Sequence, residues 1–151
     1  MIHRAAPLLI SACLMGIACR YDGASRSTPD VRDFLHRRHL LPVPICPEQL
    51  GGLPTPRTPC QFCGGDGADL WQGTATLVNG NGCDLTPFFQ RGAREALKIA
   101  QLCGCKAALL ACTELPLLRE VGLFDSAIYV DPMEIMADRA IDFFRASGEI
   151  L

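Results

Sequence analysis

The chain has 151 residues, 49% of them hydrophobic and 20% charged, with a net charge of −2. That length supports one domain with a real core, and that composition excludes a disordered chain. The charge gives no electrostatic case for nucleic acid or an anionic membrane, and no apolar run approaches the length that spans a bilayer.

The first element is an apolar run, Ala5 to Ile10, that reads as a buried strand. His3 and Arg4 precede it in the manner of a leader, but the run is too short. A cleavage site at Ser11-Ala12-Cys13 would also cut the best motif of the chain. The expectation is therefore a cytoplasmic protein. Thr28-Pro29-Asp30 starts a helix over Pro29–His39, with Thr28 or Asp30 as cap and Val31, Phe34 and Leu35 on its apolar side. Leu41–Ile45 is the second strand, interrupted by Pro42 and Pro44.

Residues 51–67 read as a long loop rich in glycine and proline. Within it Gly64-Gly65-Asp66-Gly67 reads as a tight turn, because no helix with a lysine follows to make a phosphate loop. Alternation over Asp69–Asn79 predicts a β-hairpin arm, and Asn79-Gly-Asn-Gly82 a turn. The insertion thus spans about 51–82. Asp84 or Thr86 caps the next helix, with Pro87 in its first position. Phe88, Phe89, Ala93, Ala96 and Ala100 form its apolar face, and Gly104 ends it. Ala107–Ala111 is a strand, Pro116–Val121 a short helix, Ala127–Val130 a strand and Pro132–Ala146 a last helix. Alternating β and α elements predict an α/β fold, a single Rossmann-like three-layer sandwich with a mostly parallel sheet.

Nine cysteines are present. An odd number without a secretion signal disfavours a disulfide framework and leaves metal ligands or reactive thiols. Cys13, Cys46 and Cys112 each follow an apolar run, so three strand ends each carry a thiol. Strand ends at the carboxyl edge of a parallel sheet are where sites form. Cys60-Gln-Phe-Cys63 is a C-x-x-C on the loop without the second half of a zinc site; the readings are a redox pair, a replacement ligand or an incidental pair, and the last is favoured. Cys103 and Cys105 read mainly as small buried hydrophobes, Cys83 only in part so, and Cys19 as either lining the site or packing beneath its loop. Arg20 and Arg57 could meet a substrate anion, but read as solvated by default. So do His36 and His39, at a helix end.

Several segments in order resemble the bacterial DUF523 family, whose characterised members are thiouracil desulfidases. They are Ser11-Ala-Cys-Leu-Met-Gly, Cys19-Arg-Tyr-Asp-Gly, Cys46-Pro-Glu-x-Leu-Gly-Gly-Leu-Pro-Thr-Pro-Arg57, Gly64-Gly-Asp-Gly67, Gly73-Thr-Ala and Asp84-Leu-Thr-x-x-Phe-x-x-Gly-Ala-x-x-Ala-Leu97. The resemblance covers about residues 8–107. It implies a 4Fe–4S cluster on three cysteines, with the fourth iron open to sulfur from a thiolated base. Cys13 and Cys46 match the first two ligands, and Glu48 matches an acidic residue that handles protons. The family's third cysteine sits in a Ser-Pro-Ser-Cys-Gly segment, where this chain has Ala111-Cys112-Thr113-Glu114; Cys112 is the candidate third ligand. The implied partner is a small thio-compound.

The tail, residues 108–151, is similar to the C-terminal end of aspartate/glutamate racemases through Cys112-Thr-Glu and Asp131-Pro-x-Glu-Ile-x-Ala-x-Arg-Ala140. That resemblance implies an alternative role for Cys112, as a thiol exchanging protons with an amino acid. The motif for a partner thiol is missing. A non-catalytic, diverged relative is the third reading.

Overall fold

The computed structural model describes residues 5–105 and 107–109. Three parallel strands form the main sheet in the order β2-β1-β5, with β1 Ala6–Ser11, β2 Leu40–Ile45 and β5 Ala107–Leu109. β1 is central, and its register runs from Ala6 opposite Leu40 to Ser11 opposite Ile45 on one side. On the other side Leu8 lies opposite Ala107 and Ile10 opposite Leu109.

Side chains alternate across a strand, and β1 is buried on both faces. Leu8 and Ile10 join Val31 and Leu35 of α1 (Pro29–Arg37), while Leu9 joins Phe89, Ala93, Ala96 and Ala100 of α4 (Thr86–Cys103). Helices thus cover both faces of a parallel sheet, as such sheets require. Pro42 and Pro44 do not shorten β2, which pairs with β1 over all six residues. Two residues apart, they share one side of the strand. Among the described strands β2 is an edge of this sheet, and regular pairing places their missing donors on its outer side.

Capping chemistry is close to expectation at the first helix. Thr28 Oγ1 accepts from Val31 N at 3.4 Å, with Pro29 in the first turn. At α4 the position is shifted. Leu85 is the cap residue and Pro87 is second, while Asp84 Oδ1 accepts from Thr86 N at 2.9 Å. Thr86 Oγ1 serves the sheet instead, accepting from Leu77 N at 2.9 Å. Gly104 ends the helix at φ +68°, as its sequence position predicts.

The inserted region differs from the hairpin arm expected over Asp69–Asn79. Gly67–Gln72 is a helix, α3, between two antiparallel strands, β3 (Cys60–Cys63) and β4 (Thr76–Asn79). The alternation was outweighed by a capping box. Asp66 Oδ1 accepts from Ala68 N at 2.8 Å and from Asp69 N at 3.3 Å, and Asp69 Oδ2 accepts from Asp66 N at 3.0 Å. Leu70 then turns into the α4 core, fully buried. Gly64, at φ +92°, makes the tight turn expected there. Replacing Asp66 with alanine orphans two helix donors and is expected to destabilise the fold by about 1 kcal/mol, measurable as a lower urea midpoint at unchanged slope.

The turn at 79–82 is as expected: Asn79 Oδ1 accepts from Asn81 N and Cys83 N, both at 3.0 Å. No helix among the described residues is long and apolar enough to cross a membrane. The expected helices Pro116–Val121 and Pro132–Ala146 and strand Ala127–Val130 lie outside the described residues.

Candidate functional site

Because β1 and β2 are parallel with Ser11 opposite Ile45, both strands end at one edge. Beyond Ser11 the chain tightens into a 3-10 turn, Ala12–Met15, closed by Gly16 at φ +91°. Cys13 sits inside that turn, 7% exposed. Its carbonyl accepts from Gly16 N at 3.2 Å and from Arg26 N at 2.8 Å, so the following loop folds back over it. Beyond Ile45 the chain passes directly into a short helix, α2 (Pro47–Leu50), with Cys46 as its cap residue. Two thiols are thereby delivered to the same edge by the ends of adjacent strands.

Cys19 joins them and is 2% exposed. Its carbonyl oxygen accepts from the Cys46 thiol at 3.7 Å and from Arg57 Nη1 at 3.1 Å. The thiols of Cys13, Cys19 and Cys46 feel one another electrostatically. Burial pushes the Cys13 thiol up and Cys46 adds to the rise, while Arg20 and the backbone N–H groups of Cys13 and Leu14 oppose it. Burial pushes Cys19 up to about 12, reinforced by Cys46 and then Cys13 and opposed by Arg57. The Cys13 and Cys19 thiols therefore hold their protons at neutral pH, and a metal that bound Cys13 would expel one.

Arg57 is the site residue that the sequence least revealed. Read as solvated by default, it is half-buried, with its side chain only 7% exposed. Its Nη2 pairs with Glu48 Oε2, on a side chain 16% exposed. Its Nη1 also reaches Pro54 O and Thr55 Oγ1, both at 3.2 Å. Glu48 thus stands two residues from Cys46, held in place by a guanidinium. Arg20 behaves differently: it pairs with exposed Asp22, Nε to Oδ1 at 3.2 Å and Nη2 to Oδ2 at 3.1 Å, at the rim near Cys13.

Beneath the site, α2 rests on α4 through glycines. A Cβ on Gly92 would overlap the Pro47 carbonyl oxygen, and one on Gly51 the Phe88 carbonyl oxygen. Backbone meets backbone directly under Cys46 and Glu48.

The remaining cysteines do not converge there. Cys60 and Cys63 lie on strand β3 rather than on a loop, and three residues apart on a strand they face opposite sides. Cys105 is buried as expected, but Cys103 and Cys83 are exposed. Cys103 falls on the solvent side at the end of α4, and Cys83 beside the 79–82 turn. Cys112 lies outside the described residues. Among the described residues no group of three or more His, Cys, Asp or Glu side chains is placed to hold a metal ion. Cys13 and Cys46 are the soft donors that iron–sulfur clusters take, and they share an edge. Their chemistry fits such a group when a further donor joins them.

A parallel α/β sheet whose carboxyl edge gathers thiols beside an ion-paired carboxylate is a candidate cysteine-based site. The family model of 2-thiouracil desulfurase matches residues 8–113, and the chain belongs to that family. An uncharacterized protein of Bacillus subtilis (strain 168), YbbK, is 38% identical over 103 residues, 68% of this chain and 67% of its own. The structure is similar to that of the 4Fe–4S-dependent thiouracil desulfidase TudS, with a TM-score of 0.64 and 27% identity over 90% of this chain and 99% of that one. None of these three matches points to a racemase, so the racemase-like reading of the tail gains no support.

Proposed function

We propose that this protein is a desulfidase that replaces the sulfur of a thiolated pyrimidine, or a similar small thio-compound, with oxygen. The observation that carries this reading is the meeting of Cys13 and Cys46 at one sheet edge beside the Glu48–Arg57 ion pair. Membership of the 2-thiouracil desulfurase family and likeness to TudS support it. The reaction is a hydrolysis: thione and water become carbonyl and hydrogen sulfide, with no net change in oxidation state.

In this reading Cys13, Cys46 and Cys112 hold a 4Fe–4S cluster. Cys112 follows Leu109 by three residues, as Cys13 follows Ile10, the register partner of Leu109. When bound, such a cluster supplies an open iron as a Lewis acid toward the substrate sulfur. The protein's own residues do the rest. Glu48 moves the proton. Paired with Arg57 it begins as a charged carboxylate, so its first act is to take a proton from the attacking water at Oε1, and its second to give one to the departing sulfur. The low exposure of Cys13 and Glu48 keeps bulk water from the reacting centre. We read residues 1–151 as one Rossmann-like three-layer domain working in the cytoplasm, where thiols stay reduced.

The test is anaerobic reconstitution with iron and sulfide, followed by an assay with 2-thiouracil. The expected result is about four iron and four sulfide per chain, with uracil and sulfide released in equal amounts. Folded, colourless protein that takes up no iron would overturn this reading.

A further inference from the structure

The geometry points to Arg57 as the positioning residue of this site: it holds the Glu48 carboxylate beside Cys46, and its contribution to the reaction runs through Glu48. The inference rests on the reading of Glu48 as the group that moves the proton.

The argument begins with where the guanidinium is placed. Its Nη2 faces Glu48 Oε2, and its Nη1 lies within 3.1–3.2 Å of three oxygens: Cys19 O, Pro54 O and Thr55 Oγ1. Cys19 O is also the acceptor of the Cys46 thiol. One carbonyl therefore joins the thiol to the guanidinium, and the guanidinium joins that carbonyl to the carboxylate. Glu48 is already bound to Cys46 through the chain, so the four residues close a ring. A half-buried arginine spends its donors on such a ring because only a planar fork reaches several oxygens at fixed angles. Without Arg57, a carboxylate this enclosed loses its counter-charge and turns toward water, away from Cys46.

The surrounding loop, though the guanidinium reaches Pro54 O and Thr55 Oγ1, does not depend on it alone. Leu53 N donates to Glu48 O at 3.0 Å, and Gln49 Nε2 donates to Thr55 Oγ1 at 2.8 Å. The main-chain N–H of Arg57 donates to Tyr21 O at 2.8 Å whatever the side chain is. Loss of the side chain is thus a loss of aim for Glu48 more than a release of the 51–57 segment.

The experiment compares reconstituted wild type with the Arg57→Met, Arg57→Lys and Glu48→Gln variants and the Arg57→Met/Glu48→Gln double variant. Iron per chain, kcat and KM for 2-thiouracil are measured for each. Glu48→Gln is expected to lower kcat about 100-fold. Arg57→Met should fall to a similar kcat with KM within about twofold and iron unchanged, since uniform binding is not what it removes. The double variant should be no slower than Glu48→Gln alone, because a residue that acts through another adds nothing once the other is gone. Arg57→Lys should recover part of the loss by restoring the charge without the fork.

Wild-type kcat in Glu48→Gln overturns the reading of Glu48, and this inference with it. A slow Glu48→Gln beside a fully active Arg57→Met overturns the inference alone. So does a double variant slower than Glu48→Gln, which would place Arg57's effect elsewhere. If Arg57→Met does not fold, Arg57→Lys and Arg57→Lys/Glu48→Gln make the same comparison, and full activity in Arg57→Lys beside a slow Glu48→Gln is the overturning result. Thermal unfolding of metal-free wild type, Arg57→Met, Glu48→Gln and their double variant gives a readout independent of turnover: non-additive shifts in Tm are expected for Arg57 and Glu48, and additive ones contradict the coupling.

Discussion

Cys46→Ser protein is expected to take up no stoichiometric iron and to lose desulfuration more than 100-fold. Substitutions of groups that merely support a metal ligand cost about 10–100-fold, so removal of a ligand itself lies beyond that range. Cys46 follows the last paired residue of β2 directly, and its thiol is fixed by the Cys19 carbonyl at 3.7 Å. Serine keeps the size and the hydrogen bond but replaces a soft, ionisable sulfur with a hard oxygen that stays protonated. The loss therefore reports ligation and not packing. Cys63→Ser is the control. Cys63 is exposed on β3, three residues from Cys60 and on the other face of the strand, and its substitution should leave iron and turnover unchanged. Iron, acid-labile sulfide and rate measured on the same anaerobic preparations check both. Full iron in Cys46→Ser would remove Cys46 from the ligand set.

The contrast between Cys46 and Arg57 shows what the sequence could convey. Cys13 and Cys46 were legible as partners because each follows a short apolar run, and parallel strands bring their ends to one edge. The period of the pattern fixes that geometry before any packing is known. The same holds for α4, whose apolar face and closing Gly104 set both its orientation and its end. Arg57 was not legible. Nothing in Thr55-Pro56-Arg57 says whether an arginine points outward, because its burial depends on Glu48 and on the Cys19 carbonyl, 38 residues earlier. Arginine prefers the surface unless it is paired, and pairing is a tertiary fact. The α3 segment failed for another reason. Leu70, Gln72, Thr74 and Thr76 alternate by chance, while Asp66 and Asp69 satisfy each other's backbone donors locally and start a helix. Cys103 and Cys83 show that a small apolar side chain is no guide to burial by itself: each falls where its element meets solvent.

Gly92→Ala is expected to be the most damaging small substitution outside the thiols, destabilising the fold by about 1–3 kcal/mol. On an exposed helix the same change would stabilise by about 1 kcal/mol, since glycine is a poor helix residue. Here the sign reverses, because the new methyl would overlap the Pro47 carbonyl oxygen, with the Gly51 N–H close behind it. Both are main-chain atoms and cannot rotate away as a side chain would. The neighbouring Gly51 has the same relation to the Phe88 carbonyl, so α2 and α4 touch through two glycines and relief at one worsens the fit at the other. Relief requires α2 to lift off α4. Pro47 lies between Cys46 and Glu48, so that movement displaces the thiol and the carboxylate together. A displacement of about 1 Å at a reacting centre costs on the order of 100-fold in rate. Turnover should therefore fall well beyond what the lost stability explains, in protein that remains folded at the assay temperature. Gly80→Ala supplies the comparison: a Cβ there meets only the Thr58 methyl at 3.4 Å, and neither stability nor rate should change appreciably. Urea unfolding of both variants, with kcat measured on the reconstituted proteins, checks the pair. Wild-type turnover in Gly92→Ala would mean that the aim of Cys46 and Glu48 does not depend on the glycine contact beneath them.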